Sequence, residues 1–330
     1  MKQYIFEAKP WEADILREQF PDATFIDEPL TEDNAGNFGD ATIVSVFVNS
    51  RVTRAALEAL PGLQCIATRS TGFDHIDTGY AKERGIVVCN VPEYGSRTVA
   101  EFTFGLLLTL TRKIFSGIRQ SKECIFDTST LQGTDLFGKT IGVIGMGRIG
   151  SEVIKLAHGF GMNVLVYTAH PRPEQAEELN FRFMSLEDLL AHSDVVTLHL
   201  PLTPETTHIL NKDTMAKIKK GAYLINTARG PLIDTEALLV ALEDGTLAGA
   251  GLDVLEEEKE INDELELLTS HDKHNVDFKT MCIDHALMHH PRVVVTPHNA
   301  FNTKEALERI LHTTIDNIKK FLEGQAQNRV

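Results

Sequence analysis

Between Thr140 and Gly150 the chain reads T-I-G-V-I-G-M-G-R-I-G, and no other stretch restricts the fold as tightly. Apolar Ile141, Val143 and Ile144 lead into Gly145-Met146-Gly147-Arg148-Ile149-Gly150. Helical spacing follows at Ile149, Val153, Ile154, Leu156 and Ala157, and a second apolar run spans Val164 to Tyr167. The glycines therefore sit in strand–turn–helix–strand context, which separates a dinucleotide fingerprint from an ordinary glycine-rich turn. Each has a physical task. Gly145 permits the tight turn, Gly147 lets backbone approach a pyrophosphate, and Gly150 lets the helix pack on the strand. The N–H groups at the helix start, from Arg148 and Ile149 onward, then face the anion.

One expected feature is missing. A carboxylate that grips the ribose should end the second strand, about twenty residues on. Here that strand runs into Thr168-Ala169-His170-Pro171-Arg172. A neutral Thr168 with His170 and Arg172 nearby leaves room and positive charge for a 2′-phosphate. The expected cofactor is NAD, with NADP open at this position.

A chain of 330 residues is long enough for two domains. Its formal net charge of −15 would repel a nucleic-acid backbone over most of the surface. Cys65, Cys89, Cys124 and Cys282 are scattered without a C-x-x-C pair, which suits reduced thiols in a cytosol. Met1-Lys2-Gln3-Tyr4 runs into a short strand without a signal-peptide apolar region, and Val99 to Leu110 is too short to span a bilayer. A cytoplasmic protein without membrane or nucleic-acid partners is expected.

Strand and helix patterns alternate along the chain and predict doubly wound parallel sheets. Strands are expected at 3–7, 41–48, 65–68 and 86–90, with helices at 11–20 (Trp11, Ile15 and Leu16 on its apolar face) and 54–60. Ser96 is expected to cap a long apolar helix to Thr111, packed at a domain junction or subunit interface. A polar connector, 112–136, follows. Beyond the fingerprint, helices are expected at 186–190, 215–220 and 235–243. Strands are expected at 194–198, 222–226, 247–254 and 293–296, and an amphipathic helix at 303–323.

Arg229, Glu258 and His298 each lie just past a different expected strand. Strand ends on one edge of a parallel sheet converge on one crevice. A guanidinium grips a carboxylate in a bidentate fork and polarises an adjacent carbonyl. An imidazole exchanges a proton with a developing alkoxide. A carboxylate beside the imidazole orients it and stabilises its charged form. Singly, each residue could be a surface charge. Together, downstream of a cofactor fingerprint, they point to reversible hydride transfer to a 2-oxo acid.

The chain resembles the D-isomer-specific 2-hydroxyacid dehydrogenases along nearly its whole length. The resemblance rests on Ser70-Thr71-Gly72-Phe73-Asp74, Val91-Pro92-Glu93-Tyr94 with Val99-Ala100-Glu101, and Leu136-Phe137-Gly138-Lys139-Thr140 before the fingerprint. It rests also on Asn226-Thr227-Ala228-Arg229-Gly230, Gly251-Leu252-Asp253-Val254 and Thr296-Pro297-His298. It implies that Arg229 binds the substrate carboxylate, that His298 is the acid/base and that Glu258 is its partner. It further implies that Thr71 and Gly72 offer backbone N–H groups to the carboxylate. Arg148, Ile149, Thr168, Leu200, Pro201, Thr206, Thr227, Ala228 and Asp253 would line the cofactor. The implied architecture is a Rossmann nucleotide domain, 101–297, inserted into a flavodoxin-like substrate domain, 1–100 with 298–330. A hinge, cleft closure and a homodimer are further expectations.

Within that family the chain is most similar to the D-lactate dehydrogenases. Glu258 sits five residues after Asp253 and is followed by Lys259 rather than proline, and a long polar insertion, Glu260 to Arg292, comes next. Tyr94 and Phe301 would wall a small pocket that favours pyruvate. The stretch Tyr167 to Glu174 looks somewhat like the NADP-using glyoxylate/hydroxypyruvate reductases, an alternative that keeps the same reacting residues. Dinucleotide-binding corepressor scaffolds share the fold and the site residues, and form an alternative of another class. The insertion carries His271, His274, Cys282, His285, His289 and His290; Cys282, His285 and His289 would share a helical face, but no metal is assigned.

Overall fold

A computed structural model describes residues 1–258 and 278–330. The chain divides into two compact units, Met1–Tyr94 with Asn302–Val330, and Gly95–Phe301.

The first unit is built on a five-stranded parallel sheet. Its strands are β1 (Gln3–Phe6), β2 (Thr24–Ile26), β3 (Ile43–Val46), β4 (Cys65–Thr68) and β5 (Val87–Cys89), in the order β2-β1-β3-β4-β5. That is the flavodoxin-like order. Every residue of β3 and β4 is buried. Strands of this kind are covered on both faces and read as continuous apolar runs. One face packs Leu57, Leu60, Ile66 and Val88. The other packs Leu16, Ile43, Cys65 and Ala67 with Leu311, Ile315 and Ile318 of the helix Lys304–Leu322, which Thr303 caps through the N–H of Ala306. Trp11 was expected on the inner face of the helix Pro10–Gln19, but it is 37% exposed. Glu12 is buried there instead, its carboxylate accepting the Lys9 N–H.

The second unit is a seven-stranded parallel sheet. Its strands are β6 (Thr140–Ile144), β7 (Asn163–Tyr167), β8 (Arg182–Phe183), β9 (Val195–Leu198), β10 (Ala222–Asn226), β11 (Leu247–Leu252) and β12 (Val293–Val295). The order β12-β11-β10-β9-β6-β7-β8 reverses direction between β6 and β9, the switch point where such sheets bind ligands. Helix Ser96–Thr111 lies on one face, with Ala100, Phe104 and Leu107 against Ile141, Val143 and Ile225. It therefore belongs whole to this unit, and the first boundary falls before Ser96 rather than at residue 100. Gly95, not Ser96, occupies the N-cap position, without a side-chain cap.

The expected connector 112–136 contains a further helix, Ile114–Lys122. The helix expected at 215–220 is instead the short Lys212–Met215, fixed by a capping box at Asn211 and by burial of Met215. Among the described residues, no helix is long and apolar enough to cross a membrane.

Candidate active site

The fingerprint glycines show three different environments. Gly145 has φ +107, and a Cβ there would lie 2.5 Å from the His199 carbonyl oxygen. A Cβ on Gly150 would meet the Gly145 carbonyl oxygen at 2.2 Å, so bare backbone lets the helix Arg148–Gly159 close on β6. A Cβ on Gly147 would meet nothing within 4 Å. That open, exposed turn at a helix N-terminus fits a pyrophosphate. Arg148 is exposed and Ile149 half-buried beside it.

Past β7, Thr168 is half-buried, and its hydroxyl accepts the His170 N–H at 3.4 Å; Arg172 is exposed. Past β9, Leu200 and Pro201 open a turn that Thr206 closes. The Thr206 hydroxyl donates to the Pro201 carbonyl at 2.7 Å and accepts the Thr203 N–H at 2.8 Å. Past β10, buried Asn226 clamps the next turn: its side chain accepts the Ala228 N–H at 3.0 Å and donates to the Arg229 carbonyl at 2.8 Å. Thr227 faces inward, its hydroxyl 3.0 Å from that of Thr103.

Glu258 and His298 are brought together, with His298 Nδ1 3.0 Å from Glu258 Oε1. An Nδ1–H donating to the carboxylate leaves Nε2 to exchange a proton. His298 is held at φ +48, a left-handed conformation rare for a residue with a Cβ. Its N–H donates to the Asp253 carbonyl at 2.8 Å. The Asp253 side chain, expected beside the cofactor, is buried and turned to the same loop. It accepts Thr296 Oγ1 at 2.6 Å and the N–H groups of Asn299 and Ala300, each at 2.8 Å. Burial pushes this carboxyl up, against those hydrogen bonds and the charge of His298.

Arg229 reaches the same region through its neighbour. A Cβ on Gly230 would fall 1.9 Å from the Leu255 carbonyl oxygen, so the loop carrying Arg229 rests directly on the turn that ends at Glu258. Arg229 is half-buried, and one guanidinium nitrogen donates to the Ala228 carbonyl at 2.7 Å. Phe301, also half-buried, lies three residues beyond His298.

Sequence reasoning missed the supports beneath Glu258. Glu256 Oε1 lies 2.6 Å from His208 Nε2, and Glu256 Oε2 accepts the Thr235 hydroxyl at 2.7 Å. Asp284, fully buried in the helix Phe278–His289, accepts the Glu257 N–H at 3.0 Å. Burial, with the carboxylates of Glu256 and Glu258 nearby, pushes Asp284 up to about 6, against the Glu257 hydrogen bond and the charge of His285. No local signal marks an aspartate in a downstream helix as a partner of this turn. Cys282, His285 and His289 do lie on one helix, with His289 Nδ1 2.8 Å from the His285 carbonyl. Among the described residues, no three His, Cys, Asp or Glu converge as metal ligands. His271 and His274 lie outside the described residues.

In the first unit the loop after β4 is pinned to the strand end beside it. Thr71 Oγ1 donates to the Val91 carbonyl at 2.7 Å, Asn90 Nδ2 donates to the Thr71 carbonyl at 2.8 Å, and Ser70 Oγ donates to the Gly72 carbonyl at 2.6 Å. The Tyr94 carbonyl accepts Arg309 Nε at 2.7 Å.

Residues 104–300 match the family model for the D-isomer specific 2-hydroxyacid dehydrogenase, NAD binding domain. A 2-hydroxyacid dehydrogenase homolog of Zymomonas mobilis is 39% identical, over 98% of each chain. The D-lactate dehydrogenase of Escherichia coli is 35% identical, again over 98% of each. The crystal structure of D-lactate dehydrogenase from Aquifex aeolicus, complexed with NAD and lactic acid, superposes with a TM-score of 0.87 at 34% identity, covering 98% of this chain and 96% of that one. The chain belongs to the D-isomer specific 2-hydroxyacid dehydrogenase family of NAD-dependent oxidoreductases, with its NAD-binding domain over residues 104–300.

Proposed function

We propose that the protein is a D-lactate dehydrogenase that reduces pyruvate with His298 as the acid/base. The observation that carries this reading is the His298 Nδ1–Glu258 Oε1 pair at 3.0 Å, on a loop fixed by Asp253. The reduced nicotinamide, when bound, supplies the hydride to the carbonyl carbon. Arg229 holds the substrate carboxylate in a fork and polarises the carbonyl. His298 delivers a proton from Nε2 to the carbonyl oxygen, and Glu258 stabilises and orients the charged ring. The family resemblance also assigns substrate-binding roles to Thr71, Gly72, Tyr94 and Phe301. Sequence similarity to the Escherichia coli and Aquifex aeolicus D-lactate dehydrogenases supports pyruvate as substrate.

A second reading, glyoxylate/hydroxypyruvate reduction with NADPH, is favoured by one observation: Thr168 stands where a ribose-binding acid is expected, with exposed Arg172 nearby. Parallel initial rates with NADH and NADPH, on pyruvate, glyoxylate and hydroxypyruvate, separate the two. Faster pyruvate turnover with NADH is expected. NADPH-dependent glyoxylate reduction as the fastest reaction would overturn the lactate reading. Arg172→Ala should weaken NADPH at least ~5-fold more than NADH, the loss of one charged contact to a phosphate. Equal loss for both cofactors removes Arg172 from the site.

We further propose a homodimer. The stretch after the long helix exposes Phe115 (60%), Ile118 (50%) and Phe126 (88%), large apolar side chains that a subunit interface would cover. Joint Phe115→Asp and Phe126→Asp replacement should convert a dimer to a monomer in sedimentation velocity. An unchanged dimer would place the interface elsewhere.

A further inference from the structure

The turn Leu255–Glu258 is held at each of its three glutamates. Glu256 is fixed through its side chain to His208 and Thr235. Glu258 Oε2 reaches back to the Leu255 N–H at 3.4 Å, while Oε1 meets His298. Glu257 is held through its backbone, and the acceptor is Asp284 Oδ2 at 3.0 Å.

Asp284 belongs to a helix that lies after residues 259–277 and contributes no group to the reaction as proposed. It is nevertheless fully buried, beside a cavity of about 10 Å³ lined also by Asn226, Gly230, Thr235 and Glu256. Its second oxygen, Oδ1, has no hydrogen-bond partner among the described residues. A carboxylate placed among other carboxylates and half satisfied is costly where it stands. A buried group left half satisfied calls for an explanation, and a role at a neighbouring site is one.

We propose that Asp284 is a positioning residue for the reaction: by holding the Glu257 N–H it fixes the turn that aims Glu258 at His298. The proposal rests on the Glu258–His298 reading above. Its lever is geometric. The Glu257 amide is one residue from Glu258, so releasing it lets the carboxylate drift from the imidazole, and misplacement by about 1 Å can cost ~10²-fold in rate.

The test uses the full chain with NADH and the 2-oxo acid that turns over fastest. Asp284→Ala should lower kcat at least ~10-fold while KM changes less than ~3-fold, because the turn does not grip substrate. Asp284→Asn keeps an oxygen acceptor for the Glu257 N–H and should stay within ~3-fold of the parent. If the alanine variant does not fold, Asp284→Ser makes the same truncation with a polar group left beside the cavity. Glu258→Gln locates any failure. Adding Asp284→Ala to it should cause no further loss, since both act through one carboxylate.

Asp284→Ala at parental kcat, with Glu258→Gln strongly impaired, overturns the positioning role and leaves the Glu258 reading standing. Asp284→Asn as slow as Asp284→Ala also overturns it, because an intact acceptor would then be insufficient. Parental rates in both Asp284→Ala and Glu258→Gln would bring down the Glu258 reading itself.

Discussion

His298→Asn should lower kcat for 2-oxo acid reduction by about two to four orders of magnitude, the range for losing a positioned general acid. Asparagine is chosen because His298 sits at φ +48. Asn visits the left-handed region more readily than other residues with a Cβ, so it removes the imidazole with little backbone penalty. Alanine would add about 1–2 kcal/mol of strain and blur the reading. The side chain is 43% exposed, so little packing is lost with it. Thermal melting should therefore shift by only a few degrees while the rate collapses. NADH binding, followed by fluorescence, should be retained, because in the proposed mechanism the residue acts on the substrate oxygen rather than the cofactor. Glu258→Gln should fall between parent and His298→Asn: glutamine can still accept from Nδ1–H but does not stabilise a charged ring. A His298→Asn enzyme with parental kcat at neutral pH would remove the acid/base assignment.

The parts of this molecule that local chemistry decides were legible in the sequence. The fingerprint is one such part, since its spacing between strand and helix is local, although the backbone that crowds Gly145 belongs to the distant His199. Helix Thr235–Glu243 is another: Asp234 caps it through the Ala237 N–H, and apolar periodicity carries it to its end. Both sheets were legible as sheets because buried parallel strands write themselves as runs such as Val195–Leu198. Elements decided by tertiary packing were not. Strand β2 is a half-buried edge of three residues, too short and too mixed to show a period. Helix Ile114–Lys122 keeps its apolar residues on the surface, so its sequence read as a connector. At the candidate site, Arg229 and His298 could be singled out because each follows an expected strand, and Glu258 by its spacing from Asp253; the structure places Glu258 beside His298. Asp253 was visible as a motif, but its orientation toward the 296–300 loop was not. Asp284 and the His208–Glu256 pair depend on which helix lands beneath one turn, and no spacing rule encodes that.

Gly230→Ala should destabilise the second unit by about 3 kcal/mol or more, at the upper end for overpacking a buried position. The reason is the identity of the obstacle. The added Cβ would stand 1.9 Å from the Leu255 oxygen, 2.1 Å from its carbonyl carbon and 2.6 Å from the Glu256 nitrogen, all of them backbone atoms. A side chain could swing aside; here one of two loops must move. The first carries Arg229 and the second ends at Glu258, so either movement separates proposed reacting groups. Whatever fraction folds should show kcat/KM reduced at least ~10²-fold, as expected for misplacement near 1 Å. Gly147→Ala is the contrasting case. Nothing lies within 4 Å of its added Cβ, so the fold should tolerate it and melting should be nearly unchanged. Its loss should appear in the cofactor instead, with NADH affinity reduced at least ~10-fold as the methyl enters the space assigned to the pyrophosphate. Differential scanning fluorimetry and NADH titration on the two variants read these outcomes separately. Gly230→Ala melting like the parent would show that the two loops do not meet as described. Gly147→Ala binding NADH like the parent would move the pyrophosphate away from the second fingerprint glycine. The same residue type thus carries opposite predictions, because one glycine is bounded by the chain and the other by the proposed ligand.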